Sequence, residues 1–258
     1  MENEVKFLDV GTEKIAYFYV PPKGRETTVM FLHGFFSSMN KTKGIYLKDF
    51  CLEKGYGFLS LDYSGHGQSS GDFEDGSISQ WLRDCEAVIR YNGAKNLILV
   101  GSSLGGWMMV HLAMKLPDLV RGLIGIAVAP DFTKDIPANL TAEQQHELDT
   151  KGRLILSSDY NASGVAITKK LIDDARDLLL LDRGGIPCNV PVRLLHGVKD
   201  TDSPFDLSLK LMHELTSADI EVILIKEGSH TLSEPNNLQL LRQVLVGLIE
   251  TVEGKPCS

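Results

Sequence analysis

A chain of 258 residues with 43% hydrophobic and 23% charged side chains is large enough for one α/β domain with a substantial core, and its composition excludes a disordered chain. The formal net charge of -8 leaves no basic footprint for nucleic acid or an anionic membrane, so a small neutral or acyl substrate is expected. Cys51, Cys85, Cys188 and Cys257 are scattered without C-x-x-C spacing, which points to reduced thiols and away from a disulfide framework or zinc site. The start, Met1-Glu2-Asn3-Glu4-Val5, has neither the basic flank nor the apolar run of a signal peptide, and no apolar stretch reaches about 18 residues. A cytoplasmic protein without stable membrane insertion is therefore expected; nothing in the pattern sets an oligomeric state.

Residues 5–20 alternate apolar and polar around Gly11-Thr12-Glu13-Lys14, a hairpin signal. A buried strand is predicted over 27–32, running into His33-Gly34-Phe35-Phe36. A helix over 45–52 is closed by Lys54-Gly55, and a strand over 56–61 empties into the Gly- and Ser-rich loop of residues 62–71. Ser77 or Ser79 caps a helix whose apolar face holds Ile78, Trp81, Leu82, Cys85, Val88 and Ile89 and which ends at Asn92-Gly93. Next comes an apolar, β-branched run over 97–100, then Gly101-Ser102-Ser103-Leu104-Gly105, then an apolar helix stopped by Pro117. A further strand covers 123–128. Strands alternating with helices of this length imply parallel βαβ units in a mostly parallel, doubly wound sheet.

Residues 132–187 break that rhythm. They show no clear strand, carry helical patches at 142–148 and 165–180, and end at Gly184-Gly185-Ile186-Pro187. A structureless loop of this length is unexpected inside a compact domain, so a small helical cap is predicted there, with residues 1–131 and 188–258 forming the core. The rhythm resumes with a strand over 192–197, a helix over 205–215, a strand over 220–225 and a last helix over 238–249, with Ser233 as its cap and Pro235 in its first turn.

A strand, a sharp turn with the pattern G-x-S-x-G, and a helix put Ser103 on a strained elbow, where glycine at 101 and 105 avoids a Cβ clash. A serine hydroxyl needs a base, and the base needs an acid to orient it. His230 lies just past the 220–225 strand and Asp200 just past the 192–197 strand, and both are expected on loops at the carboxyl edge of the sheet. Asp131, after the strand that precedes the insertion, is the second candidate for the acid, and Asp202 the third. Acyl transfer also requires amide donors for the oxyanion; the N–H groups of Phe35 and Leu104 are the candidates. Phe36 and Asp131 are candidate pocket residues, and Phe35 and Phe36 could instead serve as core packing. His66, His111, His146, His196 and His213 show no metal-ligand spacing, and the glycine runs lack the features of a dinucleotide or phosphate loop, so neither a metal nor a cofactor is expected.

With those residues in view, the chain resembles the α/β-hydrolase superfamily over nearly its whole length. The resemblance is carried by His33-Gly34-Phe35, residues 62–69, Gly101-Ser102-Ser103-Leu104-Gly105-Gly106-Trp107, His196-Gly197-Val198-Lys199-Asp200 and His230. More narrowly, Phe50-Cys51, Asp62-Tyr63-Ser64-Gly65, residues 100–107 and 192–197 are similar to the abhydrolase-domain-ten branch. That resemblance implies a serine hydrolase of the α/β-hydrolase fold, with acyl-protein thioesterase and acyl-glucuronide esterase activity and acylated small molecules or proteins as partners. The expected activity is cleavage of carboxylic esters or thioesters by Ser103, His230 and Asp200. A non-catalytic ligand-binding protein on the same fold, or the same triad applied to C–C bonds or perhydrolysis, is the alternative.

Overall fold

The computed structural model describes residues 4–158 and 161–254. The expected hairpin is β1 (Lys6–Val10) paired antiparallel with β2 (Glu13–Val20). The predicted alternation continues as β3 (Thr28–Leu32), α1 (Thr42–Lys54), β4 (Gly57–Leu61), α2 (Ile78–Asn92), β5 (Leu97–Ser102), α3 (Leu104–Lys115) and β6 (Val120–Ile126). The insertion contributes α4 (Ile136–Asn139), α5 (Ala142–Lys151), β7 (Arg153–Ser158), β8 (Asn161–Thr168) and α6 (Lys169–Arg176). The chain closes with β9 (Val192–Gly197), α7 (Asp206–Glu214), β10 (Ile220–Ile225) and α8 (Pro235–Val252).

Eight strands form one sheet in the order β1-β2-β4-β3-β5-β6-β9-β10. Every pair from β4 to β10 is parallel, and β2 is antiparallel to both neighbours. The central strands read as unbroken apolar runs because helices cover both faces. In β3 and β5, Met30, Leu32, Leu97 and Leu99 pack with Trp81 and Trp107 on the α2 and α3 side. The alternate residues Val29, Phe31, Ile98 and Val100 pack with Leu47 and Phe50 of α1 and Leu241 and Leu245 of α8. This period-two division packs the central strands on both faces, and the site is built on their ends. Among the described residues no helix is long and apolar enough to cross a membrane.

Two cap assignments resolve differently. Ser77, and not Ser79, caps α2, its hydroxyl accepting from the Gln80 N–H at 3.3 Å, while the Ser79 N–H is taken by the Asp174 carboxylate of α6 at 2.9 Å. Pro235 does open α8, but Ser233 is not its cap: Glu234 occupies that position without a side-chain bond, and the Ser233 hydroxyl donates to the Thr231 carbonyl at 3.0 Å.

The insertion departs from the all-helical expectation. Its helix α5 spans the predicted patch, but β7 and β8 form an antiparallel hairpin, and the predicted 165–180 helix is a strand up to Thr168 before α6 begins. The reason is packing: Val165 and Ile167 alternate inward, Leu154 is buried and Ile155 points out, so these apolar residues serve a two-residue period that a short apolar run does not distinguish from a helical one. Leu148, Leu154, Ile167 and Ile172 make a small apolar cluster of their own, against which Phe35 packs. Arg153 pairs with Glu74, and Lys170 Nζ donates to the Asp75 carbonyl at 2.5 Å. The insertion is thereby tied to loops that come after β3 and β4.

Candidate active site

Ser103 sits between β5 and α3 with φ 54° and ψ -118°, a backbone conformation outside the ordinary regions for an L-residue and of order 1–3 kcal/mol uphill. Close approach makes that turn feasible only with glycine on both sides. A Cβ at Gly105 would lie 2.1 Å from the Leu32 carbonyl oxygen, and one at Gly101 would lie 2.3 Å from that of Gly105. The elbow is pinned by the Ser103 N–H donating to the Ile126 carbonyl of β6 at 2.9 Å.

His230, on the loop after β10, reaches Ser103 Oγ with Nε2 at 3.1 Å and the Asp200 carboxylate with Nδ1 at 2.8 Å. Nδ1 faces a carboxylate and so carries the proton, which leaves Nε2 as the acceptor of the serine hydroxyl. Asp200 lies on the loop after β9. Its Oδ1 accepts from the backbone N–H groups of Asp202 at 3.0 Å and Ser203 at 2.9 Å. Its Oδ2 accepts from His230 and, at 3.1 Å, from Nε2 of His196. Burial raises the carboxyl, but the bonds from His196, His230 and the Ser203 N–H outweigh it and hold Asp200 well below the usual carboxylate range.

The other two candidate acids are elsewhere. Asp131 accepts from the N–H groups of Leu180 and Leu181, both at 2.7 Å, and so fastens the returning end of the insertion to the end of β6. Asp202 is exposed and offers Asp200 its backbone N–H. Atoms of Asp200, Asp202 and His230 lie within 4.8 Å of one another, close enough for a cation, though a hydrogen bond already joins Asp200 to His230.

The loop after β3 brings Gly34 against the serine, where a Cβ would be 3.3 Å from that of Ser103. The N–H groups of Phe35 and Leu104 make no hydrogen bond to a described residue. The Phe35 ring lies 5.0 Å from Phe73 and 5.3 Å from Phe132, and Phe36, the more exposed of the pair, lies 5.2 Å from Phe73.

What sequence reasoning missed is the buried polar framework beneath this loop. Asp62 accepts from the Met39 N–H at 2.7 Å and the Gln68 N–H at 2.9 Å, joining the loops after β3 and β4. The Tyr63 hydroxyl donates to the His33 carbonyl at 3.0 Å. His33 and His66 are buried with rings 5.2 Å apart, and their Nε2 atoms have no hydrogen-bond partner among the described residues. Burial brings their pKa values down to about 4 and about 3, so both are neutral. The sequence signals were His33-Gly34-Phe35 and the motif of residues 62–69.

A serine on a strained strand-to-helix turn at the end of β5, with an acid after β9 and a histidine after β10, is the arrangement of the hydrolase class of doubly wound α/β proteins. The chain belongs to the α/β-hydrolase family. The family model for the alpha/beta hydrolase fold matches residues 27–152. The chain is 38% identical over 229 residues to the mitochondrial palmitoyl-protein thioesterase ABHD10 of Mus musculus, covering 88% of this chain and 77% of that one. With the Homo sapiens counterpart it is 36% identical over 233 residues, covering 90% and 76%. Among solved structures, a chain from Agrobacterium vitis S4 described as a hydrolase superposes with TM-score 0.90 at 34% identity, covering 96% of this chain and 98% of that one. The mouse alpha/beta hydrolase domain-containing protein 10 superposes with TM-score 0.87 at 36% identity, covering 96% and 99%.

Proposed function

We propose that this chain is a cofactor-independent serine hydrolase that cleaves carboxylic esters or thioesters. The single observation that carries the reading is the hydrogen-bonded line from Ser103 Oγ through His230 to Asp200, at 3.1 and 2.8 Å. Ser103 Oγ attacks the acyl carbonyl as His230 Nε2 takes its proton. The C–O or C–S bond then breaks and His230 returns the proton to the leaving alcohol or thiol. Water, activated by the same nitrogen, releases the acid from the acyl-enzyme. Asp200 keeps the proton on Nδ1 and offsets the imidazolium charge. The N–H groups of Phe35 and Leu104 stabilise the oxyanion, a contribution of about 10²–10³ in rate for one such donor.

Residues 132–187 act as a cap over the core formed by 1–131 and 188–258, and they shape the acyl site. The aromatic rings of Phe35, Phe36, Phe73 and Phe132 support an apolar acyl group, and the likeness to palmitoyl-protein thioesterases supports a thioester, with an acylated protein or small molecule as partner. Cys51, Cys85 and Cys188 are buried free thiols, which suits a reducing compartment; the cytoplasm is the compartment proposed for this chain. The test is a panel of acyl esters and acyl thioesters of increasing chain length, run on the wild type and Ser103→Ala. Turnover that rises with chain length and vanishes in the variant is expected. Rates flat with chain length would contradict the apolar acyl site.

A further inference from the structure

Asp200 is unusual among the groups of this site in accepting two histidines on one oxygen. His196, the last residue but one of β9, is completely buried. Its Nε2 lies 3.1 Å from Asp200 Oδ2 and 2.7 Å from the Ser203 carbonyl oxygen. A nitrogen facing a carboxylate and a carbonyl must carry the proton, so Nε2–H donates to both. The opposite nitrogen, Nδ1, lies 2.7 Å from the hydroxyl of Ser208 on α7, which donates to it. Ser208 is itself fully buried, which fixes that hydroxyl toward the ring.

We infer that His196, oriented by Ser208, is a positioning residue for Asp200, holding Oδ2 in line with His230 Nδ1 throughout the catalytic cycle. The inference rests on the triad proposed above. Two backbone N–H groups fasten Oδ1, but without His196 the reacting oxygen would be held by His230 alone, the one partner whose bond must change as it gains and loses a proton. A second donor on Oδ2 removes that freedom. It also draws off part of the carboxylate charge, so His230 releases its proton to the leaving group more readily. In metal sites, outer-shell partners orient and tune a ligating group by the same device.

The ionisable groups that surround Asp200 are His196 from β9, His230 from the loop before α8, and Asp202 from its own loop. Lys199, next to Asp200 in the chain, pairs with Glu227. Removing the His196 donor therefore concentrates the carboxylate charge on His230, which then holds its proton more tightly.

The experiment compares His196→Leu, His196→Gln and Ser208→Ala with the wild type and Ser103→Ala, using hydrolysis of p-nitrophenyl butyrate across pH with melting temperatures measured alongside. His196→Leu is expected to lower kcat roughly ten- to a hundred-fold with KM changed less than about two-fold, and to move the acid limb of kcat/KM to higher pH. His196→Gln, which restores an N–H toward Asp200, is expected to recover most of both effects. Where Leu at this position prevents folding, Ser208→Ala is the readout, with the same displacement of the limb at smaller amplitude. Wild-type kcat and pH profile in His196→Leu or, if that does not fold, in Ser208→Ala would overturn the inference, as would a Gln variant no better than Leu at equal melting temperature. Loss of the triad reading itself is separately visible, because Ser103→Ala would then retain turnover.

Discussion

Replacing Asp200 by Asn exchanges one oxygen for an NH₂ group, and the surrounding bonds decide which oxygen is lost. Oδ1 accepts two backbone N–H groups, at 3.0 Å from Asp202 and 2.9 Å from Ser203, so an amide oxygen must occupy that position. The amide NH₂ then stands where Oδ2 was, 2.8 Å from His230 Nδ1 and 3.1 Å from His196 Nε2. A donor there forces His230 to accept on Nδ1 and carry its proton on Nε2, which can then no longer take the proton of Ser103. The opposite rotamer sets an NH₂ against two backbone donors and loses both bonds. The expected loss in kcat is about 10⁴, the scale known for a reversed tautomer in serine proteases, or some 5 kcal/mol of activation free energy. Steady-state hydrolysis of a p-nitrophenyl ester measures it, with Asp131→Asn as the control. The control should turn over at wild-type rate and lose only stability, about 1–3 kcal/mol, because the Asp131 carboxylate holds backbone and not His230. An Asp200→Asn enzyme above about a tenth of wild-type kcat, or an Asp131→Asn enzyme that loses more, would refute the reasoning.

Three further expectations concern the elbow, the buried histidines and the His230 loop. Gly105→Ala places a Cβ 2.1 Å from a backbone oxygen that cannot move without breaking the β3–β5 ladder; destabilisation of about 3 kcal/mol is expected, a fall of roughly 6–12 °C in a thermal melt, and an unchanged melt would contradict it. His66 is neutral in the fold, with its pKa lowered to about 3, and takes up a proton below about 6.5 when unfolded, so stability is full above pH 6.5 and declines as pH falls from there toward 3. His66→Gln should therefore remove about 2 kcal/mol of the stability difference between pH 7 and pH 5, read by urea denaturation at both; an unaltered difference would refute the buried neutral assignment. Lys43 Nζ donates to the Thr231 carbonyl and, at 3.3 Å, to Ser233, bracketing Leu232 with its φ of 41°. Lys43→Met should let this loop move and lower kcat roughly five-fold, with Lys43→Arg less affected; equal rates in all three enzymes would contradict the role.

The features legible before the structure are those a local pattern encodes. Apolar runs between glycine-rich breaks located the strands, and because this architecture puts loops at their carboxyl ends, Ser103, Asp200 and His230 could be named from position alone and are brought together. Asp200 could not be separated from Asp131 without the fold. Both come after strands, and only the packing of the returning insertion onto the end of β6 shows that Leu180 and Leu181 occupy the Asp131 carboxylate. The β7–β8 hairpin was hidden because residues 153–168 fit either period until their partner strand is known. The links from His196 to Asp200 and from Asp62 to Met39 were hidden for a different reason. A histidine within an apolar strand and an acid in a glycine-rich loop look like ordinary residues until burial and a facing donor are seen.

The most direct test of the central claim is to map the adduct of a fluorophosphonate probe by mass spectrometry of the peptide containing residues 102 and 103. A single phosphonyl group on Ser103 is expected, absent after denaturation before labelling and absent in Ser103→Ala. An adduct on Ser102, or equal labelling of the wild type and Ser103→Ala, would contradict the claim that Ser103 is the nucleophile.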